Sequence, residues 1–371
     1  MGSVAAKRIE LKTDAPPAEA KAVASGTEKK ERAFFAITKI SRYLDVLALS
    51  WVTPLLMIAA GDSPKQNLKL VWSRLGIPVL AIAIFLALWA GLAPQVKTSL
   101  GAIPGPAEVA AQAVVLHQDH LEEARKSAVF QARQDELNAR LVAAGRGDEV
   151  VRRNYTGKPT YYLQIWTSLK TVFFGFFLAT LIAAPLGILM GMSPAMNAAF
   201  NPIIQIFKPV SPLAWLPIVT MIVSATVASD SAIPKSFLTS AITVTLCSLW
   251  PTLINTALGV STIDRDLVNV GKVLKLGWYT KVTKLVLPSA LPLIFTGMRL
   301  SLGVGWMVLI AAEMLAQNPG LGKFVWDEFQ NGSSQSLAKI IVAVLTIGII
   351  GFLLDRVMFA LQSTFTYSAN R

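Results

Sequence analysis

The sequence predicts an all-α polytopic membrane protein with six transmembrane helices. Three observations carry that reading. Of 371 residues, 53% are hydrophobic and 15% charged, at a mean hydropathy of +0.53; a soluble chain carries about a quarter charged residues. The apolar residues gather into runs of roughly twenty, the length that crosses about 30 Å of hydrocarbon. The charged residues gather outside those runs, over 1–43, over 107–158 and over the island Ser261–Pro292 between two long apolar runs.

A formal charge of +12 suits nucleic acid in principle. Basic loops beside membrane spans explain it more simply, because anionic lipid and the insertion rule both favour cytoplasmic Lys and Arg. No nucleic-acid partner is expected. The single cysteine, Cys247, excludes an internal disulfide and offers no metal cluster.

Residues 1–43 are rich in Ala, Lys and Glu and read as a basic cytoplasmic tail, disordered over 1–30. No secretory signal is read there. Leu44–Ala60 is apolar but interrupted by Asp45 and Pro54. Basic residues flank it on both sides, and a span would separate them across the bilayer. Residues 44–75 therefore read as an interfacial amphipathic helix and linker, with a full span as the alternative.

The first full span is 76–95. Residues 96–164 are expected outside the membrane as a periplasmic helical insertion, with 107–158 a helical hairpin or extended excursion. The two histidines, His117 and His120, stand there at i, i+3. A short soluble helix supplies no closed coordination shell, so they read as a solvated face and no metal site is assigned. The second span, Ile165–Met192, repeats a small residue every fourth position: Gly175, Ala179, Ala183, Gly187 and Gly191. Such a ridge lets helix backbones approach closely in lipid. The fifth span, Pro292–Leu315, repeats it with Gly297, Ser301 and Gly305. The third span, running to about Val227, is broken by Pro209, Pro212 and Pro217. Irregular backbone at that depth needs protein or a water-filled cavity around it, which makes Pro212, Trp215 and Pro217 candidates for a translocation pathway. Phe237–Gly259 and Leu337–Leu361 complete the transmembrane core, 165–361, followed by a cytoplasmic tail, 362–371.

Within the charged island, Ile263, Leu267, Val270 and Leu274 form a helical stripe, while Asp264, Arg265, Lys272 and Lys275 occupy other faces. Gly277 is expected as the C-cap, and Trp278, Val282 and Leu285 begin a second stripe. Pro288 and Pro292 are expected to stop that piece and start the next membrane helix. Two short amphipathic helices between spans make a docking platform for a soluble partner; the alternative is a solvated loop. With six spans and the N-terminus inside, the island and both termini lie in the cytoplasm.

No paired carboxylate site, Ser/His/Asp set or phosphate-binding glycine loop appears, so the chain reads as a non-enzyme with no bound cofactor. The intramembrane ionisable groups are the functional candidates. Arg299 lies roughly 10 Å past Pro292 at helical rise. A charge there costs about 2.5–3.5 kcal/mol, so it faces the bundle interior or a cavity, where it attracts an anion in transit or forms a structural ion pair. Glu313 stands near the outer mouth as a gate or a helix cap. Asp355 and Arg356 anchor the inner end of the last span.

The island resembles the coupling loop of ABC importer permeases of the type I fold, whose signature reads Glu-Ala-Ala, three residues, Gly, then about eleven residues to Leu-Pro. Asn269-Val270-Gly271 fall on Glu-Ala-Ala, Lys275 on the Gly, and Leu287-Pro288 on Leu-Pro, so the Glu and the loop Gly are replaced. KPVSPLAWLP (Lys208–Pro217), PLIFTGMRLSLGVGWMVLIAAEML, GLGKFVWDEF and IIGFLLDRVM resemble the nitrate, bicarbonate and sulfonate branch, closest to nitrate-type permeases. The resemblance runs from about Leu75 to Leu361, apart from 107–158. It implies an inner-membrane permease, working as a homodimer with two cytoplasmic ATPase subunits that use ATP-Mg and a periplasmic substrate-binding protein. The coupling residues it implies are Asp264, Asp266, Asn269, Val270, Gly271, Lys272, Lys275, Gly277, Leu287 and Pro288, over 261–288. The implied cargo is nitrate, nitrite or cyanate, with bicarbonate or sulfonate/taurine as alternatives. An ion-coupled secondary transporter is the alternative of another class.

Overall fold

A computed structural model of the chain describes residues 34–369 except for 36, 39–40, 42–43, 45–48, 62, 99–100, 152 and 229–230. The tail expected to be disordered over 1–30 lies outside the described residues. The chain divides into two units, 1–85 and 86–371.

In the first unit, α1 (Val52–Ala59) has eight residues, roughly 12 Å at helical rise and too short to cross a bilayer. Helix α2 (Pro64–Val71) continues through a π-turn, Trp72–Gly76, into α3 (Ile77–Leu92). The first apolar span is therefore a 32-residue helix from Pro64 to Gln95, beginning earlier than the expected 76. Pro78 would clash with the carbonyl of Arg74 in a regular α-helix. The π-turn widens the backbone there and lets the helix pass.

In the second unit, a two-stranded turn pairs Lys97 with Ala102 (β1, Lys97–Thr98; β2, Gly101–Ala102) and leads to α4. Helix α4 is one uninterrupted 38-residue helix, Pro106–Ala143, roughly 57 Å long. Of the two arrangements expected for 107–158, this is the extended excursion and not the helical hairpin. Residues 107–143 contain no Gly or Pro to turn the chain, and Ala, Leu, Glu, Gln and Arg favour continuation. The return runs alongside as extended chain. Glu123 accepts from the Tyr155 hydroxyl (2.7 Å) and the Lys158 amide (3.1 Å), and Gln134 accepts from the Arg153 amide (3.0 Å). The Tyr155 hydrogen bond holds the Glu123 carboxyl below its ordinary range, against an opposing effect of desolvation. His117 and His120 meet the Tyr162 hydroxyl (3.1 Å) and the Thr160 hydroxyl (2.9 Å). They tie α4 to the start of the next helix, α5.

The core is three layered helices. Helix α8 (Lys235–Ser261) lies between α5 (Tyr161–Met192) and α11 (Leu287–Ala316). On the α5 side, a Cβ on Gly175 would meet the Ala241 carbonyl at 2.7 Å. One on Gly187 would meet Thr256 Cβ at 2.6 Å, and one on Gly191 Val260 Cβ at 2.5 Å. Ala179 and Ala183 between them are fully buried. On the α11 side, Gly297 lies against Pro251 and Thr252, and Gly305 against Val244 and Ser248. Ser301 Oγ accepts from the Thr252 amide (3.0 Å) and bonds its hydroxyl (2.7 Å). Both small-residue series thus face α8.

The broken third span is a pair of helices, α6 (Pro194–Phe207) and α7 (Pro212–Thr226), bent by 101°. The chain has five helices long and apolar enough to cross a membrane among the described residues, or six with this pair counted as one. Ser211 caps α7 by accepting from Leu213 N (3.2 Å), with Pro212 at the first helical position. After the charged island, α10 (Trp278–Lys281) passes through a π-turn, Val282–Val286, into α11 without a stop, a 39-residue helix from Trp278 to Ala316. Pro288 and Pro292 therefore do not end the preceding piece. The π-turn contains Lys284, whose carbonyl the Pro288 ring would strike, so the same device recurs as before Pro78. Helices α12 (Leu321–Asn331) and α13 (Ser334–Ala369) complete the unit.

Gly187→Val should lower thermal stability of the purified protein by about 1–3 kcal/mol through overpacking against Thr256 and the Leu253 carbonyl. Gly303→Val should stay near wild type, because nothing lies within 4 Å of a Cβ there. Melting followed by size-exclusion chromatography in detergent compares the two.

Candidate functional site

The charged island folds as α9 (Arg265–Val273) and the short α10. Asp264 is the N-cap, its carboxylate accepting from Asp266 N (2.9 Å). Asp266 sits in the first turn and Lys272 in the last. All three charges suit the helix dipole. The end of α9 is a Schellman motif. Leu276 N donates to the Gly271 carbonyl (3.1 Å), Lys275 N donates to that of Lys272 (3.0 Å), and Lys275 takes the left-handed conformation at φ 45°. Gly277 is not the C-cap expected of it. It precedes α10 as N-cap at φ −58°.

Gly271 is the buried residue of α9, and a Cβ there would meet Leu285 Cδ1 at 3.4 Å. A methyl group there would be in ordinary van der Waals contact, so the packing of the loop leaves room for Ala at this position. Asp266, Asn269, Val270, Val273 and Leu274 line a shallow depression. Val273 is 81% exposed and Tyr279 on α10 74% exposed. The loop thus exposes apolar Val270, Val273, Leu274 and Tyr279 beside the charged Asp266, Lys272 and Lys275.

Arg299 makes a bidentate pair with Asp355 on α13: Nε bonds Oδ1, and Nη2 lies 2.7 Å from Oδ2. Arg356 Nη2 joins Oδ2 at 3.0 Å, and both guanidinium groups lie 5.4 Å from the Phe359 ring. Of the two roles open to Arg299, this geometry is the structural ion pair, and Asp355 lies within the bundle seam. Glu313, fourteen residues along the same helix and roughly 21 Å away, is fully buried. It accepts from Ser168 Oγ (2.7 Å), the Gly322 amide (3.0 Å) and Asn318 Nδ2 (3.4 Å). Ser168 Oγ in turn accepts from the Leu321 amide (2.8 Å). The carboxyl group sits at the N-terminus of α12 and binds α5, α11 and α12 into one knot. A Cβ on Gly320 would strike Glu313 itself, and one on Gly322 the Ile310 carbonyl. So enclosed, Glu313 lines no pathway in this conformation.

Pro212, Trp215 and Pro217 belong to the α6–α7 elbow. Trp215 stacks across it on Phe207, ring centroids 5.6 Å apart. The five pathway candidates thus fall at three separate places. Sequence reasoning missed Ser168, Asn318 and the glycines Gly320 and Gly322, which complete the Glu313 knot. The signal available was Asn-Pro-Gly-Leu-Gly beginning five residues after a buried acid.

These features are those of a helical membrane bundle with an amphipathic loop between two spans. Residues 183–367 match the family model of the binding-protein-dependent transport system inner membrane component. A nitrate import permease, NrtB of Leptolyngbya laminosa, is 36% identical over 211 residues, 56% of this chain and 71% of that protein. A bicarbonate transport permease, CmpB of Synechocystis sp., is 41% identical over 54% of this chain and 68% of its own length. A probable ABC transporter permease of Brucella melitensis is 30% identical over 79% of this chain and 96% of that one. The chain belongs to the binding-protein-dependent ABC importer permeases, in the nitrate and bicarbonate branch.

Two expectations follow. Lys275→Gly should stabilise the loop by about 1 kcal/mol, since only a residue without Cβ takes the left-handed conformation freely; slower amide exchange across α9 is the readout. Arg299→Gln should destabilise the bundle by roughly 1–3 kcal/mol, because Asp355 loses its two-point partner. Arg299→Gln with Asp355→Asn should recover most of it, measured as a double-mutant cycle in detergent melts.

Proposed function

We propose that this chain is the membrane-spanning subunit of an ATP-driven importer of a small oxyanion, nitrate first. The observation that carries the cargo is the match to nitrate import permeases, 36–39% identical and covered over as much as 71% of their length. Bicarbonate is the second reading, favoured by 40–41% identity to bicarbonate permeases. The chain pairs with a second copy, receives cargo from a substrate-binding protein outside, and takes its energy from two cytoplasmic ATPase subunits. Its N- and C-termini face the cytoplasm, and α4 stands on the outer side.

The loop between α8 and α11 is the ATPase dock. Its exposed apolar residues, Val270, Val273, Leu274 and Tyr279, support this assignment, since a solvated loop has no reason to present them. Asp264, Asp266 and Lys272 shape the loop through its helix ends, and Asn269 borders the contact. Gly271, Lys275 and Gly277 set its fold. Leu287 and Pro288 join it to α11, so a push at the loop acts directly on that helix. Cargo crosses by alternating access between the two copies.

Val273→Asp with Leu274→Asp should abolish ATPase co-purification, leave membrane insertion unchanged and cut uptake more than tenfold. Gly271→Ala should transport at the wild-type rate, its added methyl meeting Leu285 at an ordinary contact distance. Vanadate-sensitive uptake of [15N]nitrate against [14C]bicarbonate decides the cargo. A reporter fused at Gly147 should read as external; a cytoplasmic reading there overturns the orientation.

A further inference from the structure

A cavity of about 300 Å³ opens where the ends of α5 and α8 meet α6, away from the Glu313 knot and the Arg299 pair. From α6 it is lined by Asn197, Asn201, Gln205 and Lys208, and its far wall includes Gly191 and Ser261. The four α6 residues recur at helical spacing, so one face of the helix presents three carboxamides and an ammonium to one opening. None of the residues lining the cavity is acidic. Gln205 Nε2 donates to Asn201 Oδ1 (3.4 Å), which turns the Asn201 amide N–H groups away from that bond. Among the described residues Lys208 makes no ion pair.

A lysine at the C-terminal end of a helix is favoured by the helix dipole alone. That accounts for Lys208 but not for three amides converging beside it on an open volume. An ammonium with several neutral N–H donors and no competing carboxylate suits a small oxyanion, which offers only acceptors and one negative charge. The volume admits such an ion with several waters.

We propose that this cavity, beside the α6–α7 elbow, is a small-oxyanion site facing the compartment into which cargo is released. The proposal rests on the anion-import reading and on the orientation given above. An anion here, held by the α6 side chains and hydrated on the α8 side, where the Ser261 hydroxyl already donates to the Leu258 carbonyl (3.0 Å), fills the space between α6 and the end of α8. It stabilises the arrangement in which those helices are apposed, and so draws the transporter toward that state. Released cargo thereby slows its own import.

The test uses the assembled transporter in nanodiscs and proteoliposomes. Titrating [15N]nitrate and following its line width should report binding to the wild type that weakens at least tenfold in Lys208→Gln and in Asn201→Leu. Both positions are exposed on α6, so the variants should keep the wild-type melting profile. Nitrate trapped inside proteoliposomes should slow ATP-driven import severalfold, and Lys208→Gln should lessen that inhibition. Wild-type protein that binds no nitrate, or variants that bind it as well as wild type, overturn the site. Equal inhibition of wild type and variant overturns its role in feedback. A transporter that binds nitrate through Lys208 yet imports none overturns the nitrate cargo and upholds the site.

Discussion

Everything in the second unit depends on how closely α8 is approached by its two neighbours. In lipid the hydrophobic effect does not drive helices together, because tails are as apolar as the side chains they would replace. Association must come from contact between backbones and from hydrogen bonds that lipid cannot offer. Glycine and alanine on α5, and Gly297, Ser301 and Gly305 on α11, supply the first. Thr245 donating to the Gly175 carbonyl (3.1 Å) and Ser301 bonded to Thr252 supply the second. That explains why α8 is lined with buried threonines and serines, which would be wasteful at a lipid-facing position.

Two acids on this scaffold, Asp355 half-buried and Glu313 fully buried, are accommodated in opposite ways. Asp355 is met by guanidinium groups on a seam that remains a third exposed. Glu313 is met by neutral donors and a helix N-terminus in full burial. The first solution joins α11 to α13 and the second joins α11 to α5 and α12. Helix α11 is thus tied at two levels roughly 21 Å apart. It is the same helix that emerges, through the π-turn, from the charged loop.

What the sequence revealed follows from what is periodic in it. The apolar runs and the four-residue ridge of Gly175–Gly191 identify the spans and their packing faces, because helix geometry converts spacing directly into a face. Boundaries at prolines misled. Pro288 looks like a stop, yet a π-turn absorbs it, as another absorbs Pro78 within the first span, and no residue pattern marks a π-turn in advance. The hairpin alternative for 107–158 failed for a related reason: an extended return strand held by Glu123 and Gln134 has no helical signature. In the site, Arg299 and Glu313 stood out as charges in apolar runs, but their partners lie 56 and 145 residues away in sequence. Only the fold brings those together.

The departure from the coupling signature acquires a physical meaning at Lys275. The family position is a glycine, and here the residue occupying it has a positive φ and closes a Schellman motif. The glycine of the signature is therefore a backbone requirement and need not contact a partner. A lysine tolerates that conformation at a cost of roughly 1–2 kcal/mol, offset in part by its charge at the negative end of α9. The loop keeps its turn without the residue that makes the turn easy. By the same logic Asn269, at the position of the signature's acid, keeps only acceptor and donor capacity where a charge would have stood. On the proposed reading of this loop as an ATPase dock, no charge is offered at that point, and the contact would rest on the exposed apolar Val270, Val273 and Leu274.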